Sequence, residues 1–116
     1  MLKEYTQWTE NTCASLGTQE ADTIHMLFGV TTEVGELMDV FKKYLAYGKP
    51  IDWVNVREEL GDIMYYLASF CNINGIDLED VLERNVRKLE ARYPEKFNEQ
   101  DALNRNLANE REILER

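Results

Sequence analysis

Apolar residues recur along this chain at intervals of three and four, the spacing of one face of an α-helix. The pattern predicts four helices, at about residues 2–16, 22–47, 52–73 and 77–92. Gly17, Gly48 and Gly75 are expected to end the first three, because glycine tolerates the left-handed conformation that closes a helix. No segment alternates apolar and polar residues as a strand would. The sequence therefore predicts an all-α fold.

Capping residues mark where two of these helices should begin. Asp52, or Asn55 with Glu58 three residues later in a capping box, is expected to open the third helix. Asp77 is expected to open the fourth.

Four helices with short connections favour an antiparallel four-helix bundle, which we assign to residues 1–97. The apolar stripes are wide for so short a chain, and aromatic residues such as Trp8 and Trp53 are left over, so the bundle is expected to be completed by oligomerisation. The polar tail, residues 98–116, is predicted either to form a helix that docks on a neighbouring subunit or to fray.

A pattern of acid, apolar residue, glycine and acid occurs twice, from Glu33 to Glu36 and from Glu59 to Asp62. On a helix, residues three apart lie one turn apart on the same face. A helical wheel places both pairs at the same edge of matching apolar stripes, whereas Glu58 points away. Acidic pairs on solvated faces are common, but chance does not readily produce two in the same register. If the pairs converge, they form a site for divalent cations.

Glycines accompany both acidic pairs. Gly35 and Gly61 lie inside the predicted helices, where each costs about 1 kcal/mol relative to alanine. Close approach of another helix or of a ligand is the usual reason for keeping such a residue, although long helices also tolerate glycine. Gly29, a turn before Glu33, invites the same interpretation.

The fourth helix repeats the wheel geometry with different chemistry. Asn85 and Lys88 occupy the edge where the earlier helices carry acids, and Arg92 follows a turn later. Lys and Arg bind phosphate oxygens, so this edge is typical of a site for a metal-bound phosphate. For Arg92, interaction with the C-terminal dipole of its own helix is an equally adequate explanation.

Composition excludes several classes of function. The net charge of -9 argues against binding to nucleic acid or to an anionic membrane surface. No stretch of about 18 apolar residues and no signal-peptide pattern occurs, so we expect a cytoplasmic protein. Cys13 and Cys71 fall on apolar stripes and are expected to be buried free thiols. His25 is the only histidine, which disfavours zinc, di-iron and Ser-His-Asp sites.

Carboxylate ligands favour hard cations, above all Mg²⁺, with Mn²⁺ as a substitute. With no glycine-rich phosphate loop and no dinucleotide fingerprint in the chain, metal-assisted hydrolysis of a phosphate compound remains.

The paired acidic motifs, followed by Asn85, Lys88 and the run from Arg92 to Pro94, resemble the MazG-like nucleoside triphosphate pyrophosphohydrolases. The resemblance covers roughly residues 22–97. It implies an all-α enzyme that hydrolyses nucleoside triphosphates between the α and β phosphates, removes non-canonical or surplus deoxynucleotides, and assembles as a homodimer or homotetramer.

The resemblance also implies roles for individual residues. Magnesium would be held by the four acids, Glu33, Glu36, Glu59 and Asp62, and the phosphates or metals would be contacted by Asn85, Lys88 and Arg92. Many members open the first motif with two adjacent acids, whereas this chain has Thr32 before Glu33. The general base is therefore Glu33, Glu36 or a metal-bound hydroxide.

No evident motif indicates which nucleobase of the substrate is preferred. Four residues are candidates for stacking on or hydrogen-bonding to a base: Tyr5, Trp8, His25 and Trp53. Two other functions remain open from the sequence: a non-catalytic acidic helical interaction module, and hydrolysis of another phosphorylated metabolite such as a phosphoribosyl nucleotide.

Overall fold

A computed structural model describes all residues, 1–116, and every regular element in it is helical. The helices are α1 (Leu2–Thr12), α2 (Gln19–Tyr47), α3 (Trp53–Ile73), α4 (Leu78–Arg92), α5 (Glu99–Leu103) and α6 (Leu107–Glu115). The predicted all-α class is thus confirmed. The chain forms two compact units, Met1–Ile76 and Asp77–Arg116, and the predicted four-helix bundle and its oligomerisation stay predictions.

The first unit is built around an antiparallel hairpin of α2 and α3. Gln19 Nε2, at the start of α2, donates to the carbonyl oxygen of Ile73 at the end of α3 (3.2 Å). At the opposite end, the ring of Phe41 packs edge-on against that of Trp53, with centroids 6.1 Å apart. The two helices therefore run side by side along their lengths, and their core includes Met26.

Helix α1 packs against the C-terminal half of α3. Asn72 Nδ2 donates to the carbonyl oxygen of Thr6 (2.7 Å) and to the hydroxyl of Thr9 (3.0 Å), while the Thr12 and Tyr65 hydroxyls lie 3.3 Å apart. Thr9 is fully buried at this interface.

Two helix boundaries differ from the prediction. α1 ends at Thr12 instead of residue 16, because the backbone turns extended at Cys13 and the Asp22 carboxylate accepts hydrogen bonds from Ser15 Oγ (2.8 Å) and Leu16 N (2.6 Å). α2 begins at Gln19, three residues before Asp22, since the Thr18 hydroxyl caps it by accepting from Ala21 N.

The other caps follow the sequence. Asp52 caps α3 by accepting from Val54 N and Asn55 N, so the alternative capping box is not used. Asp77 caps α4, and Gly48 ends α2 with a positive φ of 65°.

In the second unit, α6 packs on α4 of the same chain. Arg84 Nη1 donates to the Leu114 carbonyl oxygen (2.8 Å), and Arg92 pairs with Glu110 (2.5 Å). The polar tail is thus helical over most of its length, and it contacts its own chain.

Both cysteines are free thiols; Cys71 is buried and Cys13 is half-buried. None of the helices combines the length and apolar character that crossing a membrane requires.

Candidate metal centre

Carboxylates of α2 and α3 converge midway along the helical hairpin. One oxygen each from Glu33, Glu59 and Asp62 lies within 4.8 Å of the others. The antiparallel packing explains the meeting, because Glu33 on α2 lies level with the second acidic pair on α3. Glu59 is buried, with only 5% of its surface exposed, Glu33 is half-buried, and Asp62 is exposed. The cluster therefore opens to solvent on one side.

Glu36, the fourth predicted ligand, is an electrostatic neighbour of the same group. The charge of Glu59 raises the pKa of the Glu36 carboxyl, with Asp62 and Asp39 adding to the effect. The pKa of Glu59 is also raised, first because Glu33 is close enough to share a proton with it and then because it is buried. Crowding of anions contributes to both shifts, and a cation would relieve that contribution.

Two oxygens of the cluster lack hydrogen-bond partners. Glu33 Oε2 and Glu59 Oε2 are both buried without a donor. A buried carboxylate oxygen that has lost its water and gained no donor is unfavourable. A divalent cation supplies the missing interaction, and an all-oxygen ligand set suits Mg²⁺ or Mn²⁺. The residues present therefore fit a hard-cation site.

The three glycines inside α2 and α3 differ in what surrounds them. A Cβ at Gly29 would overlap the ring of Tyr66, so this glycine permits close packing of α2 on α3. At Gly35 and Gly61 a Cβ would meet no atom of the chain within 4 Å. The expected approach of another helix is therefore found at Gly29 and is absent within the chain at the other two.

Aromatic residues adjoin the carboxylate cluster. Trp8 lies between Tyr5 and Tyr65, with ring centroids 6.3 and 6.2 Å away, and Tyr65 packs edge-on against Tyr66 at 5.6 Å. Burial raises the pKa of Tyr66, and the charges of Glu33 and Asp62 contribute, which places this ring near the acids. The sequence interpretation missed Tyr66, although its position four residues after Asp62 was a usable signal.

The other base-binding candidates are dispersed. Trp53 packs on Phe41 at the far end of the hairpin and is more than half exposed. His25 is half-buried, and its Nδ1 atom has no hydrogen-bond partner.

The predicted phosphate-binding residues all lie on α4, in the second unit. Asn85 is exposed and Lys88 is half-buried. Arg92 is held by Glu110, a buried acid of α6 that also accepts from Arg105 Nε at 3.1 Å. The two guanidinium groups lower the pKa of Glu110 to about 2. Arg92 therefore has a structural partner that the sequence did not reveal.

Comparison with known proteins bears on this geometry. Residues 22–97 match the MazG nucleotide pyrophosphohydrolase domain, and this match contains both acidic pairs. The chain belongs to the MazG nucleotide pyrophosphohydrolase family. It is also similar to the Gene 37 protein of Mycobacterium phage L5, with 32% identity over 84 residues that span 66% of this chain and 74% of that protein. No solved structure matches the chain.

Membership of the MazG family confirms the resemblance inferred from the paired motifs. The roles of the individual residues stay predictions.

Proposed function

We propose that this protein hydrolyses nucleoside triphosphates, including deoxynucleoside triphosphates, to the monophosphate and pyrophosphate in a magnesium-dependent reaction. The observation that carries the proposal is the convergence of Glu33, Glu59 and Asp62, with unpartnered buried oxygens on the first two, in a chain of the MazG family. In the overall reaction water adds across the α–β anhydride. One P–O bond forms, one breaks, and a proton is released.

The four acids of the two motifs would hold Mg²⁺, with Mn²⁺ as a substitute. When bound, the cation lowers the pKa of water and neutralises charge that develops on the phosphates. Hard cations and phosphate oxygens are matched partners, which is why an acidic protein can bind an anionic substrate.

The proton released from water goes to a carboxylate of this chain. Glu33 and Glu36 are the candidates, since both belong to the first motif and this chain has Thr32 where many relatives have another acid. Glu36 is exposed and borders a pocket beside Glu59, where water can reach it. We propose Glu36 as the proton acceptor on that ground.

The substrate would contact residues beyond the acidic motifs. Trp8, beside Tyr65, offers a ring on which a nucleobase can stack, and Trp53 is the second aromatic candidate. Asn85, Lys88 and Arg92 are proposed to contact the phosphates, as the family resemblance implies. For Arg92 this requires release from Glu110.

We further propose that the reaction removes surplus or non-canonical deoxynucleotides, and that the active form is a homodimer or homotetramer. Both proposals rest on the family resemblance.

The decisive experiment is a screen of ribo- and deoxynucleoside triphosphates for release of pyrophosphate in Mg²⁺. Glu36→Gln and Asp62→Asn should each lower turnover by at least about a hundredfold, because the amide keeps the shape and loses the charge. Glu58→Gln is the matched control, since Glu58 is exposed and lies outside the cluster.

Unchanged turnover in Glu36→Gln or in Asp62→Asn would remove the assignment. Release of orthophosphate instead of pyrophosphate, or turnover only with a phosphoribosyl nucleotide, would contradict the proposed substrate class. Repeating the screen with Trp8→Ala tests base stacking, which predicts a higher KM for the preferred nucleotide.

A further inference from the structure

A groove leads from the carboxylate cluster along α2 and α3 towards the loop that joins them. Its near part, of about 610 Å³, is bordered by Gly35, Glu36 and Glu59. Its far part, of about 290 Å³, reaches Lys49 and Pro50 in the loop. Both parts share Asp39, Lys43 and Asn55, so they are continuous.

The near end of the groove contains the buried Glu59, whose Oε2 atom has no partner. This is the end at which a cation is expected, and a ligand that bridges to the cation would enter the groove there. Lys43 borders both parts of the groove, and Lys49 borders the far part. The two aspartates of the far part are already engaged, because Asp39 pairs with Lys43 and Asp52 caps α3. The groove therefore runs from the end at which a cation is expected to two lysines.

Lys43 is able to exchange its present partner for an anion. Its Nζ lies 2.9 Å from Asp39 Oδ2, but about half of each side chain is exposed, at 52% and 49%. Exposed pairs of this kind contribute little to stability, because water screens the charges. A phosphate oxygen can therefore recruit Lys43 at small cost.

Gly35 keeps the near part of the groove wide. It borders the groove, and a Cβ at this position would meet no atom of the chain within 4 Å. Alanine would favour the helix by about 1 kcal/mol, and packing within the chain does not require the glycine. A ligand in the groove would use the space that a side chain would fill.

We propose that this groove binds the terminal phosphates of the substrate and holds the pyrophosphate product, with Lys43 and Lys49 contacting phosphate oxygens and Gly35 leaving room for them. The proposal rests on the proposed function, because it assigns one part of that substrate to one part of the site. It assigns phosphate contacts to Lys43 and Lys49, which the sequence interpretation did not single out as phosphate-binding residues.

The test measures binding of inorganic pyrophosphate in Mg²⁺ by isothermal titration calorimetry, which does not depend on turnover. Lys43→Ala should weaken binding about tenfold, the usual loss for one charge-assisted hydrogen bond. Lys43→Arg should restore most of it. Lys42→Ala is the matched control, because the neighbouring lysine does not border the groove and should leave binding within about twofold.

Product inhibition gives a second readout that a general structural defect would not produce. In Lys43→Ala, inhibition by pyrophosphate should weaken about tenfold, whereas inhibition by the nucleoside monophosphate should not change, since that product lacks the terminal phosphates. Gly35→Ala should also weaken pyrophosphate binding while melting no lower than the wild type.

The outcomes separate the two proposals. If the protein turns over nucleoside triphosphates but Lys43→Ala does not weaken pyrophosphate binding, the groove assignment is overturned. The proposed enzymatic activity then still stands. Lysine-dependent binding of pyrophosphate without turnover supports the groove and overturns the enzyme. A wild-type protein that binds no pyrophosphate overturns the groove assignment.

Discussion

Gly29, Gly35 and Gly61 all lie inside helices, yet only the first is required by packing within the chain. The ring of Tyr66 occupies the space that a Cβ at Gly29 would fill, so this contact helps to set the distance between α2 and α3 one turn from Glu33. The aromatic ring and the absent side chain therefore act together in positioning the acids.

Gly29→Ala should destabilise the fold by about 1–3 kcal/mol, the usual cost of forcing an atom into a packed interface. Gly61→Ala, at a position where the Cβ meets nothing, should be neutral or stabilising by up to about 1 kcal/mol. Urea unfolding followed by circular dichroism measures both. Equal stability of the two variants would contradict the packing role of Gly29.

Among the elements, α6 has the most unusual anchor. The Glu110 carboxylate is 5% exposed and lies between the guanidinium groups of Arg92 and Arg105. Buried charges are tolerated only when they are paired, and removing one partner leaves the others uncompensated. The short, polar α6 is therefore held to α4 by an ionic contact between Glu110 and Arg92.

This anchor predicts a pH dependence. The folded pKa of Glu110 is about 2, below its ordinary value of 4.5, so its contribution to stability is complete above pH 4.5 and is lost as the pH falls towards 2. Glu110→Gln should lower the melting temperature at pH 7, and the difference from the wild type should shrink on acidification. Circular dichroism melts measure this, and hydrogen exchange of residues 107–115 localises it to α6.

Glu112→Gln is the control for this experiment. Glu112 is on the same helix and pairs with Arg116 at 3.0 Å, but it is 66% exposed. The Glu112→Gln substitution should therefore change the melting temperature little, both at pH 7 and at acidic pH. A Glu110→Gln difference that is independent of pH would contradict the ionic anchor.

For the whole molecule, we expect a cation that binds the carboxylate cluster to stabilise the fold. Adding Mg²⁺ or Mn²⁺ should raise the melting temperature, with about 2.7 kcal/mol gained at a hundredfold excess over the dissociation constant. Glu59→Gln should abolish the response and Glu58→Gln should retain it. Differential scanning fluorimetry measures the shift. A wild-type melting temperature that neither cation changes would count against the site.

The exposed apolar surface also concerns the whole molecule. Large side chains of the predicted stripes remain exposed in the single chain, among them Leu27, Met38, Phe41, Tyr44, Leu45 and Leu60. Such a surface is typical of an interface between subunits. We expect light scattering at micromolar concentration to give at least twice the chain mass of 13.6 kDa, and a monomeric mass would contradict this.

The sequence predicted four helices, their principal caps and the register of both acidic pairs, because helical periodicity and capping depend on residues only a few positions apart. The prediction was wrong where a residue further along the chain took part. Asp22 accepts hydrogen bonds from Ser15 and Leu16 in the segment after α1, and Thr18 caps α2 instead.

Tertiary structure alone decided which of these local patterns meet. The contact between Glu33 and the acids of α3 depends on the axial position and rotation of two helices, which the packing of Tyr66 on Gly29 helps to fix. The pairing of Arg92 with Glu110 and the alignment of Lys43 with Asn55 in one groove depend on the same kind of long-range packing. Periodicity along a chain specifies a face of each helix, and only packing specifies which face it meets.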